Sequence, residues 1–210
     1  MIVSHECQFI FVKVNKTAST SIEIALSQFC GDRDILTRIH NDDEKIRADL
    51  GYTGQQNWKA SSLYHHVPAG IIRNVVGEAV WKGYFKFCFE RNPFDRAISQ
   101  YYWDTRLGTG SRPDINDYIL SLGPKKISKW LLYSEKDEIV VDFVGRYENL
   151  LEDLKVVEDR LGFPEPLTMV HSKGQYRENR AHYSEILNEE CRARIEKICA
   201  REIREFDYRW

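Results

Sequence analysis

Methionine is scarce, at two residues, and so is proline, at six among 210. So few prolines exclude a proline-rich arm or linker, and no repeat or low-complexity tract stands in for one. No apolar run comes near the roughly 18 residues that cross a bilayer, so no membrane span is expected. No basic stretch followed by a long apolar one heads the chain, so no signal peptide is expected either. A strand-like segment already begins at Gln8, which leaves no room for an anchor ahead of it and points to the cytoplasm. Charge of one sign is also missing: 30 Lys and Arg face 32 Asp and Glu, for a formal net charge of -2. That excludes a globally basic coat for nucleic acid and leaves room only for a local basic pocket. The five cysteines (Cys7, Cys30, Cys88, Cys191, Cys199) are odd in number and widely spaced. They make neither a zinc pattern nor a disulfide framework and read as reduced thiols. No acidic cluster suggests a bound metal. What remains is a soluble globular composition, and a chain of this size buries roughly 70% of its unfolded surface without a staple. The expectation is one α/β domain over residues 1–210.

The apolar, β-branched and aromatic run 8–14 reads as a buried parallel strand, and residues 21–29, with Ile22, Ile24, Ala25, Leu26 and Phe29, as a helix. Residues 32–64 are polar and hard to read, with one short helix over 42–50. Helices are expected over 68–76 and 93–102, each opening on a proline, and short ones over 114–122 and 127–133. Strands are expected over 84–90 and 138–147. The stretch 149–161 is an amphipathic helix with Leu150, Leu151, Leu154, Val157 and Leu161 on one side. A polar, basic loop over 166–183 leads to a charged terminal helix over 185–206.

The chemistry concentrates in Asn15-Lys16-Thr17-Ala18-Ser19-Thr20-Ser21, between the first strand and the first helix. A helix N-terminus presents free N–H groups and the positive end of its dipole. Small residues let an anion approach, four hydroxyls donate to it, and Lys16 adds a mobile charge. The same loop serves equally as a hydroxyl-rich helix cap with no ligand. It is not a Walker A loop, which needs G-x-x-x-x-G-K-[ST]; that disfavours a kinase. Glu23, in the helix, reads as a surface charge.

A second anchor follows the strand 84–90: Arg91-Asn92-Pro93-Phe94-Asp95-Arg96-Ala97-Ile98-Ser99-Gln100-Tyr101-Tyr102. The C-terminal ends of parallel strands are where open α/β sheets bind ligands. Neighbouring strands 8–14 and 84–90 would bring Arg91 and the first loop to one crevice. Arg91 and Ser99 suit a phosphate, as a fork and a hydroxyl. The plainer alternative pairs Arg91 with Asp95 and lets Ser99 pack. Arg96 reads as structural.

Together these segments, with Lys16 and Arg91 75 residues apart, resemble the 5′-phosphosulfate loop and the 3′-phosphate motif of sulfotransferases, in the flavour of the heparan- and chondroitin-type carbohydrate enzymes and their bacterial relatives. Further similarity lies in Trp81-Lys82-Gly83-Tyr84-Phe85-Lys86-Phe87, in Gly145-Arg146-Tyr147-Glu148-Asn149-Leu150 and in the basic late loop. The resemblance implies a P-loop-like three-layer αβα fold with a central parallel sheet. It also implies 3′-phosphoadenosine 5′-phosphosulfate (PAPS) as donor and PAP as product. Lys16, Thr17, Ala18, Ser19, Thr20 and Ser21 would hold the phosphosulfate, and Arg91 and Ser99 the 3′-phosphate. This chain departs from the pattern where the family often has His-x-Pro, which is Lys13 and Asn15 here, and where Ser19 replaces a common loop glycine.

Sulfuryl transfer needs a base at the acceptor hydroxyl and positive charge on the leaving phosphate. Lys16 suits the second role. In Tyr64-His65-His66-Val67-Pro68-Ala69, a histidine just before a helix can be poised near neutral pH. In the family a histidine stands three residues before an alanine here, which selects His66 over His65. In the late loop, Lys173 and Arg180 would close over the nucleotide, Arg177 being the weaker choice. His5 and His40 read as structural. Trp58, Tyr101, Tyr102, Trp103 and Trp130 could stack on adenine or sugar, though most suit a core. The acceptor, a carbohydrate or related small metabolite, would meet residues 32–64 and 103–130. The rival from another class is a non-catalytic module that binds a nucleotide or sulfated ligand on the same fold.

Overall fold

A computed structural model describes residues 1–61, 63–108, 110–170 and 177–210. Its elements in chain order are β1 (Ile2–Ser4), β2 (Phe9–Phe11), α1 (Ser19–Leu26), β3 (Ile35–Leu36), α2 (Asn41–Asp49), α3 (Trp58–Ser61), α4 (Ala69–Val76), α5 (Glu78–Gly83) and β4 (Phe85–Glu90). There follow α6 (Pro93–Asp104), α7 (Ile115–Ser121), α8 (Pro124–Ile127), β5 (Ser134–Glu135), β6 (Glu138–Ile139), β7 (Phe143–Arg146), α9 (Leu150–Leu161), α10 (Tyr183–Ile186), α11 (Glu189–Ile198) and α12 (Ala200–Glu205). They gather into two compact units, Met1–Glu90 with Leu131–Ser172, and Arg91–Trp130 with Lys173–Trp210.

The first unit is built on a sheet of order β3-β1-β2-β4-β7. β2, β4 and β7 run parallel, in the registers Phe11↔Phe87 and Phe89↔Gly145. β1 joins antiparallel to β2 and β3, so the expected parallel sheet is mixed at one edge. β1 escapes a sequence reading because Ile2-Val3-Ser4 is too short to show a period. Phe9, Phe11, Phe87 and Phe89 share one face by strand alternation. They bury with Ile22, Ala25 and Leu26 of α1 and Leu154 and Val157 of α9. The alternate positions Ile10, Val12 and Cys88 are fully buried as well, as expected of strands covered on both faces. Gly145 lies where a side chain would meet the Phe89 ring, 2.4 Å from a built Cβ.

Three expected boundaries change in this unit. The strand 138–147 is two elements: β6 folds back on β5 through the left-handed turn at Lys136 and Asp137, whereas β7 begins at Phe143 and pairs with β4. α1 starts at Ser19 rather than at residue 21. On α9, Leu151 is 69% exposed, so it leaves the apolar side assigned to it. Lys86 of β4 is buried and satisfied: its Nζ donates to the carbonyls of Trp81 and Tyr84 and lies 2.7 Å from Asp142.

The second unit has its own helical core, in which Phe94, Ile98 and Tyr101 of α6 pack with Ile119, Ile127, Cys191 and Ile195. The terminal helix expected over 185–206 is three helices. Asn188 caps α11 by accepting from the Cys191 N–H, and Cys199 separates α11 from α12. The helix expected over 127–133 is α8 followed by a single 3-10 turn at Trp130–Leu132.

Candidate functional site

The first strand delivers the chain to the loop 15–18, where Lys16 (φ 65°) and Ala18 (φ 56°) are both left-handed without being glycine. Each such residue costs on the order of 1–2 kcal/mol, so the surrounding fold holds the turn against its own preference. Thr17 between them is buried, and its hydroxyl donates to the Val14 carbonyl at 3.1 Å. That hydroxyl therefore closes the turn. Ser19 and Ser21 are buried in the first turn of α1, and Lys16 and Thr20 are half-buried. Ser19 is helical, so the missing family glycine costs no backbone freedom there.

An anion cradle and a hydroxyl cap are the two uses open to the loop at the start of α1. The N-cap position belongs to Ala18, which has no side-chain acceptor, and no side-chain cap bond forms. The first-turn N–H groups of a helix have no partner within the helix, and at α1 the N-cap side chain supplies none. An anion placed there would gain both those donors and the helix dipole.

Behind the loop lies a buried charge cluster. Glu23, expected at the surface, is fully buried. Its Oε2 accepts from Lys13 Nζ at 2.5 Å, and its Oε1 lies 3.0 Å from the Met1 amine and 3.6 Å from Arg47 Nη2. Burial alone would raise the Glu23 carboxyl, and Lys13, the Met1 amine and Arg47 together override it and bring it down to about 2. Sequence reasoning missed this cluster because its members are scattered along the chain. The one signal was the lysine standing in the family's histidine place.

His66 is anchored to the same strand. Its Nδ1 lies 2.9 Å from the Lys13 carbonyl. A carbonyl only accepts, so Nδ1 carries the proton and Nε2 carries the lone pair. Burial, aided by the Lys13 charge, lowers the His66 imidazole to about 3. The ring is therefore neutral at physiological pH rather than poised near neutrality. His65 is exposed and packs edge-on to the His66 ring. His5 bonds Tyr84 Oη, and His40 caps α2, consistent with structural roles.

In the second unit, Arg91 is 7% exposed and grips Asp95 through Nε and Nη2 at 2.9 and 2.6 Å. Arg177 bonds the other Asp95 oxygen and the carbonyls of Asn179 and Ala181. Burial alone would raise the Asp95 carboxyl, but the two guanidiniums hold it below its ordinary value. Ser99 is half-buried one turn beyond Asp95 on α6, and Arg180 is exposed. In the late loop it is Arg177 that the structure brings to Arg91 and Asp95. Lys173 lies outside the described residues. Arg96 is buried, donates to the Ile127 carbonyl and lies 3.8 Å from Glu202, a structural placement. Of the aromatic candidates, Tyr101, Tyr102 and Trp130 are buried, and Trp58 and Trp103 are half-buried. Among the described residues no group of three or more His, Cys, Asp or Glu could hold a metal ion, and no helix is long and apolar enough to cross a membrane.

A family model described as "Sulfotransferase family" matches residues 1–106, just over half of the chain. A protein of Archaeoglobus fulgidus, described as an uncharacterized protein, is 35% identical over 104 residues, which are 48% of this chain and 87% of that protein. No solved structure matches the chain.

Proposed function

This chain belongs to the sulfotransferase family, and we propose that it carries a sulfuryl group from PAPS to a hydroxyl of a carbohydrate or related small metabolite, on a P-loop-like three-layer frame. When bound, the donor supplies an activated sulfur, whose bond to a phosphate oxygen breaks as a bond to the acceptor oxygen forms. The observation that carries the reading is the start of α1, a helix N-terminus that Ala18 leaves without a side-chain cap beside Lys16. The N–H groups of that turn and the residues Lys16, Thr17, Ala18, Ser19, Thr20 and Ser21 would hold the 5′-phosphosulfate. Lys16 would neutralise the charge that develops on the leaving phosphate. Arg91 and Ser99 would take the 3′-phosphate, with Asp95 setting the angle of the Arg91 fork. Lys173 and Arg180 would cover the nucleotide.

His66 supplies the base. Its Nε2 is the unprotonated nitrogen, and it takes the proton that the acceptor hydroxyl gives up. Its low basicity in the free chain comes from burial and a nearby cation, and an anion bound beside it raises that basicity. A sulfur-labelled donor offered with a panel of carbohydrates tests the proposal. Label should move to an acceptor, and Lys16→Ala or His66→Ala should slow transfer by about 100-fold or more. Donor that binds without ever turning over would support the non-catalytic module instead.

A further inference from the structure

Lys13 is the residue that the resemblance leaves without a role, and its surroundings give it one. The main-chain groups of Val12 face β4, with its N–H donating to the Phe87 carbonyl at 2.9 Å. Strand alternation then turns the groups of Lys13 to the opposite side, toward β1. There the antiparallel ladder has ended, because Ile2 pairs with Phe11 and no strand residue stands opposite Lys13. His66 Nδ1 occupies that vacancy at 2.9 Å. The Lys13 side chain is only 3% exposed and reaches Glu23, itself fully buried on α1, at 2.5 Å. One residue thus ties its side chain to α1 and its carbonyl to His66.

We propose that Lys13 is a positioning residue for His66: its ammonium, locked on Glu23, holds in place the peptide whose carbonyl binds His66 Nδ1–H and leaves Nε2 as the unprotonated ring nitrogen. The proposal rests on the reading of His66 as the base, and it adds how that base keeps its working tautomer. Three charged or titratable groups act on the ring: Lys13, His65 and the Met1 amine. Of these charges, that of the Lys13 ammonium lowers the ring most. Loss of the Lys13 charge should therefore let the imidazole bind protons more readily.

Nitrogen NMR of the whole protein, with the His66 signals assigned by His66→Gln, tests the tautomer without any change at Lys13. At neutral pH the wild type should show a protonated Nδ1 and a bare Nε2. In Lys13→Met, Glu23 keeps the Met1 amine and Arg47 as partners, so the fold should hold. His66 should then titrate higher by about one pH unit, and the acid limb of the transfer rate should move up with it. Lys13→Arg, which keeps a cation on Glu23, should restore the wild-type titration. A protonated Nε2 in the wild type, or a His66 titration unmoved in a folded Lys13→Met protein, overturns the proposal. Failure of the base assignment reads differently: His66→Gln would then transfer sulfate at the wild-type rate, whatever the tautomer.

Discussion

Lys13 and Glu23 meet at 2.5 Å with almost no exposure, and Arg47 beside them is fully buried. Buried ions are tolerated when each has a counter-charge, and removing one partner is far costlier than removing both. Glu23→Leu should therefore cost about 3–5 kcal/mol in denaturant unfolding, a loss that a surface glutamate would not show. The sequence could not reveal this. Glu23 sits between Ile22 and Ile24 on a helix with few charges, and its partners are 10, 22 and 24 positions away. His66 is a second residue-scale test. Its folded value of about 3 lies below the ordinary 6.5, so the unfolded chain binds a proton first. Its contribution to stability is present above pH 6.5 and is lost as pH falls from there toward 3. In a series of thermal unfolding curves, His66→Gln should show a shallower loss of stability over that window than the wild type. Parallel slopes would count against the buried neutral ring.

The parallel elements β2 and β4 are legible in the sequence, β2 as an apolar run and β4 by its alternating phenylalanines Phe85, Phe87 and Phe89, and the prolines at the starts of α4 and α6 mark those helices. The misplaced elements have local causes. Lys136 and Asp137 carry none of the usual glycine or asparagine signal, yet both are left-handed. By contrast, Asn188 followed by Glu189 and Glu190 is a readable cap, and it divides the expected terminal helix where an N-cap signature would put the break. At the candidate site the residue types were legible, but the left-handed pair at Lys16 and Ala18 was not, because neither residue favours that conformation. Where β4 and β7 pair, Gly145 allows the close approach of Phe89. Gly145→Ala should destabilise by about 1–3 kcal/mol through overpacking, read as a lower denaturation midpoint with an unchanged slope. At the start of α1, Ala18→Asp would place a carboxylate where the account puts a bound anion. The helix should survive, since aspartate is a favoured cap, while affinity for PAP falls by about tenfold or more.

Across the whole chain the five cysteines are free, and four of them are buried. Burial raises the thiols of Cys30 and Cys88, and that of Cys191 to about 11, so they are poor nucleophiles in the native state. A thiol reagent should label Cys7 first and the other four only on unfolding, and reductant should leave the melting temperature unchanged. The near balance of charge conceals where charge is used. Cations gather at Glu23 in the first unit, where Arg47 also meets Glu44, and at Asp95 in the second. The family match spans the first of these clusters and the Arg91–Asp95 pair of the second. On the proposed function, the first turn of α1, which Ala18 leaves without a side-chain cap, binds the phosphosulfate end of a nucleotide donor. Calorimetric titration of the protein with PAP, wild type beside Ala18→Asp, tests it most directly. Wild-type binding in the micromolar range or tighter, markedly weakened in a folded Ala18→Asp protein, is the expected result. No heat from the wild type, or equal affinity in the two proteins, would contradict it.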